Sequence, residues 1–455
     1  MVFIRLTIQA VFCYEYLTLV KRISDDMAYF HDSTYGHENF WLRLDNAAKI
    51  YPAIKDKELT SVFRISTTLT ERVKIKPFLD AIQAIEARFP YYKVQLKAGF
   101  FWYYLEHRQL PIPVEVDKKT PCRAFGKDEL MFRVLVRKNQ VSVEFSHILT
   151  DGTGGLEFLK TLLLTYFEKC AISHAHISFY RPEESPEREE YEDAYSRYFR
   201  KLAIPHIKVP HAFHLPFPLK KKPRFAMLVA SLSTEVIKAK SRQYDVSITE
   251  YLTAVYLYAL QEVYDQQSKL RKTINRKIIR IEVPVNLRKL YPTKSMRNFS
   301  LYVLPSIDLR LGHYTFEEIV KLVFHQIQLE TDQKLISKMI SRNVGGERNP
   351  ILRRVPLFIK SLFLSKLYTI GTKQYSGVVT NLGKIDLGDQ VNPWIEKFVF
   401  TPPPPNKVLK VNCGIAGFGN QLLLSFGNIT TSRELERLFL TFLVKQGISV
   451  KVIAS

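Results

Sequence analysis

The sequence predicts an α/β (α+β) protein built as two mixed halves joined by an irregular linker. Three observations carry this reading. Strand-like alternation and helical spacing follow one another in both halves. Residues 171 to 225 lose that periodicity and separate into an acidic and a basic block. No charge-free apolar run of about 20 residues appears, which disfavours an integral membrane protein. At about 150 residues per domain, 455 residues leave room for more than one hydrophobic core.

In the first half, SVFRISTT (residues 61 to 68) alternates as a strand, and KPFLDAIQAIEARF (residues 76 to 89) places apolar positions at helical spacing behind a Pro near its start. YYKVQL, FFWYYLE, ELMFRVLVRK and VSVEFSH follow as short strands, the last pair reading as a hairpin around Lys138, Asn139 and Gln140. Residues 152 to 169 return to helical spacing through Leu156, Leu159, Leu163 and Phe167. EESPEREEYED and IPHIKVPHAFHLPFPLKKKPRF then read as a crossover linker or surface excursion. From Ala226 the pattern resumes with a strand, two helices, the strands KIIRIEVPVN and SLYVLPSID, and helices to about residue 370. YSGVVTNLG, EKFVFTP and LKVNCGIAGFGNQLLLSFGNI form a last β-rich section, closed by one helix and one strand. The divisions are 1–26 as an N-terminal extension, 27–170 as the first domain, 171–225 as the linker and 226–455 as the second domain. Residues 1 to 26 lack a small-residue cleavage site, and Met27 is a second candidate start.

Lys and Arg total 66 against 44 Asp and Glu, a net charge of +22 that favours phosphate-bearing or acidic partners. Cys13, Cys122, Cys170 and Cys413 are too widely spaced for a zinc set or a disulfide framework, so inert thiols in a reducing cytosol are expected. The sharpest chemical feature is FSHILTDGTGG. There His147, Asp151 and Gly152 make an HxxxDG pattern where a strand meets a helix. A strand end holds His147 rigidly, and the Gly-rich turn admits close backbone approach before free amides open the helix. A neutral imidazole held this way is suited to take a proton from a hydroxyl or amine attacking a carbonyl, without a covalent enzyme intermediate. The same pattern also suits a hydrogen-bonded structural His beside a DG turn.

Beyond this motif, IRIEVPVNLRKLYPTKSMRNFSLYVLPSIDL and VVTNLGKIDL complete a resemblance, from about Tyr35 to Ile453, to the chloramphenicol acetyltransferase-like acyltransferases. That superfamily includes peptide-synthetase condensation domains, plant acyl-CoA transferases, polyketide-associated acyltransferases and alcohol acetyltransferases. The resemblance implies two similar domains around a tunnel, with His147 as general base at its middle, acyl donor entering from one face and acceptor from the other. It implies acyl transfer from a thioester to an acceptor, with acyl-CoA as co-substrate and no permanently bound cofactor. It also implies that Asp151 is structural and pairs with an Arg from the second half, at the position of Arg288. Ser146 stands where peptide-forming condensation domains usually carry an extra His, which favours hydroxyl over amine acceptors. The late DFGWG signature of the plant enzymes is absent, and the flanks look most like alcohol acetyltransferases. A carrier-protein thioester as donor, with an acidic carrier meeting the basic chain, and a non-catalytic binding protein on the same scaffold remain alternatives.

The tetrahedral intermediate needs a hydrogen-bond donor, for which the Gly152 amide and the side chains of Thr380 and Asn381 are candidates. Lys220, Lys221, Lys222 and Arg224 suit the phosphates of coenzyme A, an anionic bilayer or nucleic acid, and read at least as well as a plain solvated charge cluster. His174, His176, His206, His211 and His214 lack accompanying acid or Cys ligands, so no metal site is expected. RRVPLFIKSLFLSKLYTI, residues 353 to 370, reads as a basic amphipathic helix on an anionic membrane surface, or as core packing with exposed lysines. No nucleic-acid-binding motif accompanies the positive charge, and nucleic acid is not an expected partner.

Overall fold

The computed structural model describes residues 40–54, 60–118, 120–173, 177–202, 209–270 and 276–454. The extension read over residues 1 to 26, Cys13, His174, His176 and His206 lie outside these. In the first half, β1 (Trp41–Arg43), β2 (Val62–Leu69), α1 (Ile75–Ala84), β3 (Val94–Ala98), β4 (Tyr103–His107), β5 (Val114–Val116), β6 (Phe132–Arg137), β7 (Gln140–Ser146) and α2 (Gly152–Lys169) follow in order. The β6–β7 hairpin turns at Lys138, which takes a φ of 54°. After α2, the crossing segment carries α3 (Ala194–Arg197).

The second half holds β8 (Ala226–Ser233), α4 (Thr234–Arg242), α5 (Ile248–Leu270), β9 (Ile278–Asn286), β10 (Ser300–Val303), β11 (Ser306–Asp308), α6 (Phe316–Glu330), α7 (Gln333–Arg348), α8 (Pro350–Arg354) and α9 (Leu357–Thr372). It ends with β12 (Gly377–Ile385), β13 (Ile395–Thr401), β14 (Val411–Phe418), β15 (Gln421–Asn428), α10 (Glu434–Lys445) and β16 (Lys451–Ala454).

Among the described residues these strands form three sheets. The first half contributes a small sheet ordered β1-β4-β3 and a five-stranded sheet ordered β13-β2-β7-β6-β5. The second half forms a sheet ordered β10-β9-β12-β14-β15-β8-β16, with β11 also on β9. β13 belongs by sequence to the second half, yet it pairs antiparallel with β2 from Ile395 on Leu69 to Thr401 on Arg64. Its Phe398 and Phe400 enter the first core beside Phe63, Val143 and Phe158, while Ile281, Val379 and Tyr256 pack in the second.

The crossing segment is not the plain surface excursion its charges suggest. Glu190, from the acidic run, is buried and takes a two-pronged contact from Arg88, Nη1 to Oε2 at 2.7 Å and Nη2 to Oε1 at 2.8 Å. The Tyr91 hydroxyl donates to the same Oε2 at 2.8 Å. A carboxylate with this many donors tolerates burial that composition alone would not forecast. Tyr191, Ala194 and Tyr195 are buried with it.

Candidate active site

The site is built where the end of β7 meets a clasp from the second half. Val141, Val143 and Phe145 of β7 are buried in the first core, so His147 emerges rigidly after Ser146, its amide donating to the Ser61 carbonyl at 2.8 Å. The imidazole lies between two rings. Tyr51 stacks on it at 5.5 Å between centroids and 15° between planes, and Phe63 approaches at 4.8 Å and 46°.

Asp151 caps α2. Its Oδ1 accepts from the amides of Thr153 at 3.1 Å and Gly154 at 3.2 Å, satisfying helix-start donors as a good N-cap does. Its Oδ2 accepts from Arg288 Nη1 and from the Phe299 amide, each at 2.8 Å. The guanidinium thus grips one carboxylate oxygen rather than forking over both, because the helix amides already occupy the other. Arg288 spends Nε and Nη2 on the Ser295 carbonyl at 3.2 and 3.0 Å, and Nη2 also meets the Arg297 carbonyl.

Further hydrogen bonds bind the same turn to the second half and brace the loop carrying Met296 and Asn298. Asn298 Nδ2 donates to the His147 carbonyl at 2.8 Å and to Asp45 Oδ2 at 3.0 Å. Thr150 Oγ1 donates to the Met296 carbonyl at 2.7 Å, and the Tyr92 hydroxyl donates to that carbonyl at 2.9 Å. Asn286 Nδ2 reaches Thr153 Oγ1 at 3.1 Å. The glycines of the turn allow this closeness. A Cβ on Gly154 would stand 2.7 Å from the Met296 carbonyl oxygen and the Tyr92 hydroxyl, and one on Gly155 would stand 2.8 Å from Phe63.

Electrostatics follow from this packing. Burial lowers the His147 ring below its ordinary value, against the opposing pull of the Asp151 charge, Asn298 and the Thr150 backbone, so the neutral ring predominates at neutral pH. Burial alone would raise the Asp151 carboxyl, but the Arg288 charge and hydrogen bond and the Phe299 and Gly154 amides outweigh it and hold it below its ordinary range. On β9, Ile279, Ile281 and Val283 point into the second core, leaving Glu282 on the same face as Asn286. Burial pushes the Glu282 carboxyl up to about 7, despite a hydrogen bond with Tyr375.

The three candidate oxyanion donors are placed differently. Gly152 is the first residue of α2, and the Asp151 cap engages the next two amides rather than its own. Its Cα faces the second half, where a Cβ would lie 3.1 Å from Leu382. Thr380 shares a face of β12 with Leu382, opposite the buried Val379, so it looks toward this same seam. Asn381 is committed elsewhere: Nδ2 donates to Thr249 Oγ1 at 2.9 Å and Oδ1 accepts from the Gly383 amide at 2.8 Å. A cleft of about 700 Å³, counting the space open to solvent, is lined by Tyr51, Ser61, Lys127 and Ser146 among others and so reaches the neighbours of His147.

Other sequence candidates fall outside this constellation. The Lys220 amide bonds the Ile429 carbonyl, which places the lysine cluster at the Asn428 end of β15. His214 Nδ1 pairs with Arg276 Nη1 at 3.0 Å. Tyr51, Phe63, Asn298 and Glu282 are not singled out by the sequence; Asn298 and Glu282 lie within the segment IRIEVPVNLRKLYPTKSMRNFSLYVLPSIDL that carries the resemblance.

No family model and no curated protein matches the sequence. Solved structures do. Polyketide synthase associated protein 5 from Mycobacterium tuberculosis is similar at a TM-score of 0.55 and 13% identity, over 88% of this chain and 96% of that one. TRI101 from F. sporotrichioides, in complex with coenzyme A and T-2, is similar at 0.58 and 11%, over 91% and 99%. The wax ester synthase/diacylglycerol acyltransferase from Marinobacter aquaeolei VT8 is similar at 0.53 and 12%, over 89% and 100%. With condensation domains among the similar structures as well, the chain has the fold of the chloramphenicol acetyltransferase-like and condensation-domain acyltransferases.

Proposed function

We propose that this chain transfers an acyl group from a coenzyme A thioester to a hydroxyl acceptor, with His147 as general base. The observation that carries the reading is an imidazole at the end of β7, pinned between Tyr51 and Phe63 on a turn clasped by the second half, with burial lowering its pKa in favour of the neutral ring. In the neutral ring one nitrogen carries the proton and the other is unprotonated and able to accept. That nitrogen takes the proton of the acceptor hydroxyl as its oxygen bonds the thioester carbonyl carbon. The tetrahedral intermediate then breaks its C–S bond, and the imidazolium returns the proton to the departing thiolate.

Thr380 and the Gly152 amide are the better placed of the candidate donors to the developing oxyanion, because Asn381 is held by Thr249 and Gly383. The solved protein complexed with coenzyme A shares this fold, which supports the choice of donor. The test is free-thiol release from a series of acyl-CoA and acyl-pantetheine donors with a panel of alcohols and amines. Wild type is expected to release thiol with an alcohol acceptor, and His147→Ala to lose that release. Equal rates for the two proteins with every pair would refute the catalytic role of His147. A preference for acyl-pantetheine on a carrier protein would replace coenzyme A as the donor.

A further inference from the structure

Helix α9 is apolar on both its faces, and only one of them is covered. Leu357 and Lys360 are buried and Leu364 and Tyr368 half-buried, at helical spacing along the inner face. The outer face carries Phe358, Ile359, Leu362, Phe363, Leu367 and Ile370, with exposures reaching 69% for Phe358 and 74% for Leu362. On the adjoining α8, Ile351 is 75% exposed. A soluble surface helix normally turns its apolar residues inward and its charges outward, so this arrangement marks a contact surface. The reading of the segment as core packing with exposed lysines does not hold. Lys360 is buried, donating to the carbonyls of Phe101 at 3.0 Å and Arg353 at 3.1 Å and lying 3.5 Å above the Trp102 ring.

Charge selects the partner. From Arg348 to Ile385 the sequence contains no Asp or Glu, while Arg353, Arg354, Lys366 and Lys373 surround or interrupt the apolar face. A second copy of the chain in a two-fold contact would bring this basic rim against itself. An anionic bilayer offers both an apolar interior and phosphates at the depth where Arg and Lys side chains reach outward. At about 1.5 Å per residue, α9 is about 24 Å long, too short to span a bilayer with ease but suited to lying in its surface. Among the described residues no helix is long and apolar enough to cross a membrane.

We propose that the outer face of α8 and α9 docks on an anionic lipid bilayer, with the Phe358, Leu362 and Phe363 side chains entering the boundary between headgroups and acyl chains. The docked surface lies next to the site. The inner face of α9 packs on the turn Ala48–Ile54, and that turn carries Tyr51, the ring stacked on His147. Docking would therefore set the His147 seam beside the bilayer, where a long-chain alcohol or acyl thioester partitions. The surface assignment itself is independent of the catalytic reading.

The test is flotation of the full chain with vesicles of phosphatidylcholine alone and of phosphatidylcholine mixed with phosphatidylserine, at low and high salt. Wild type is expected to float with the anionic vesicles, less so at high salt. Arg353→Glu and Arg354→Glu are expected to weaken binding at least about fivefold per charge, and the combined Phe358→Ser, Leu362→Ser and Phe363→Ser variant to abolish it. All these positions are exposed, and unchanged thermal melting separates lost docking from lost folding. Wild type that stays unbound, or binding that survives the triple variant, would overturn the proposal. So would a dimer in sedimentation analysis that the triple variant disrupts while vesicle binding is absent, since the face would then be a self-interface.

Discussion

Arg288 Nη1 and Asp151 Oδ2 stand 2.8 Å apart across the seam between the two halves, and the Phe299 amide donates to the same oxygen. These atoms are engaged with one another and with backbone amides, and both side chains hold the turn that carries His147. Arg288→Ala leaves a buried carboxylate short of its counter-charge and is expected to cost about 3 to 5 kcal/mol of stability. Asp151→Asn removes an acceptor from Arg288 and Phe299 together and should lower turnover as well. The double variant is expected to lose much less than the sum of the two, as measured by melting and thiol release in one cycle. Additive losses would dissolve the pairing.

The pH dependence of turnover should report the lowered His147 value. The proposed general base works only as the neutral imidazole, so the rate is expected to fall as pH drops through its pKa, with the midpoint of the acid limb below 6.5, the ordinary value. Asp151→Asn removes a charge that raises the ring's pKa, so the limb should move further toward acid. A midpoint well above 6.5 in the free enzyme would contradict the desolvated base.

Glu282 gives a stability signature of opposite sense to a salt-bridged acid. Its carboxyl titrates at about 7 in the folded protein against 4.5 ordinarily. Between these values the folded state holds the proton and the unfolded state does not, so stability declines as pH rises through the window and levels off above it. Glu282→Gln should flatten that decline, gaining up to about 3 kcal/mol relative to wild type above pH 7 by linkage. Parallel melting curves for the two proteins from pH 5 to about 8 would remove the buried acid from the account.

Two glycines predict opposite outcomes for the same substitution. At Gly154 a Cβ would meet Thr150 Oγ1, the Met296 carbonyl and the Tyr92 hydroxyl, so Gly154→Ala should cost at least about 1 to 3 kcal/mol and reduce turnover. At Gly346, inside α7, nothing lies within 4 Å, and Gly346→Ala should gain about 0.4 to 1 kcal/mol. Chemical denaturation of both variants checks the contrast.

The local alphabet of the fold was readable because each element follows its own period: β2, α1, β7, α2, β9 and β12 stand where alternation or helical spacing puts them. The pairing of elements was not readable. EKFVFTP has the pattern of a strand, yet nothing in its residues says that its neighbour is β2, more than 300 positions earlier. The same limit governs the site. HxxxDG declares itself because its members are close in sequence, whereas Tyr51, Phe63, Asn298 and Glu282 reach the seam from separate segments. Glu190 misleads for a related reason, since its partners Arg88 and Tyr91 lie about 100 residues away.

The placement of β13 has a consequence for how the polypeptide is made. Until residues 395–401 leave the ribosome, β2 has no partner along one edge, and the buried phenylalanines β13 supplies to the first core are missing. An open edge of this kind is sticky toward other chains, and closing a contact across so much sequence is slow. The N-terminal lobe therefore cannot finish folding while it is being synthesised. Its last strand arrives only after most of the C-terminal lobe has emerged, so a chain that ends before residue 395 leaves the β2 edge open to pairing with other chains.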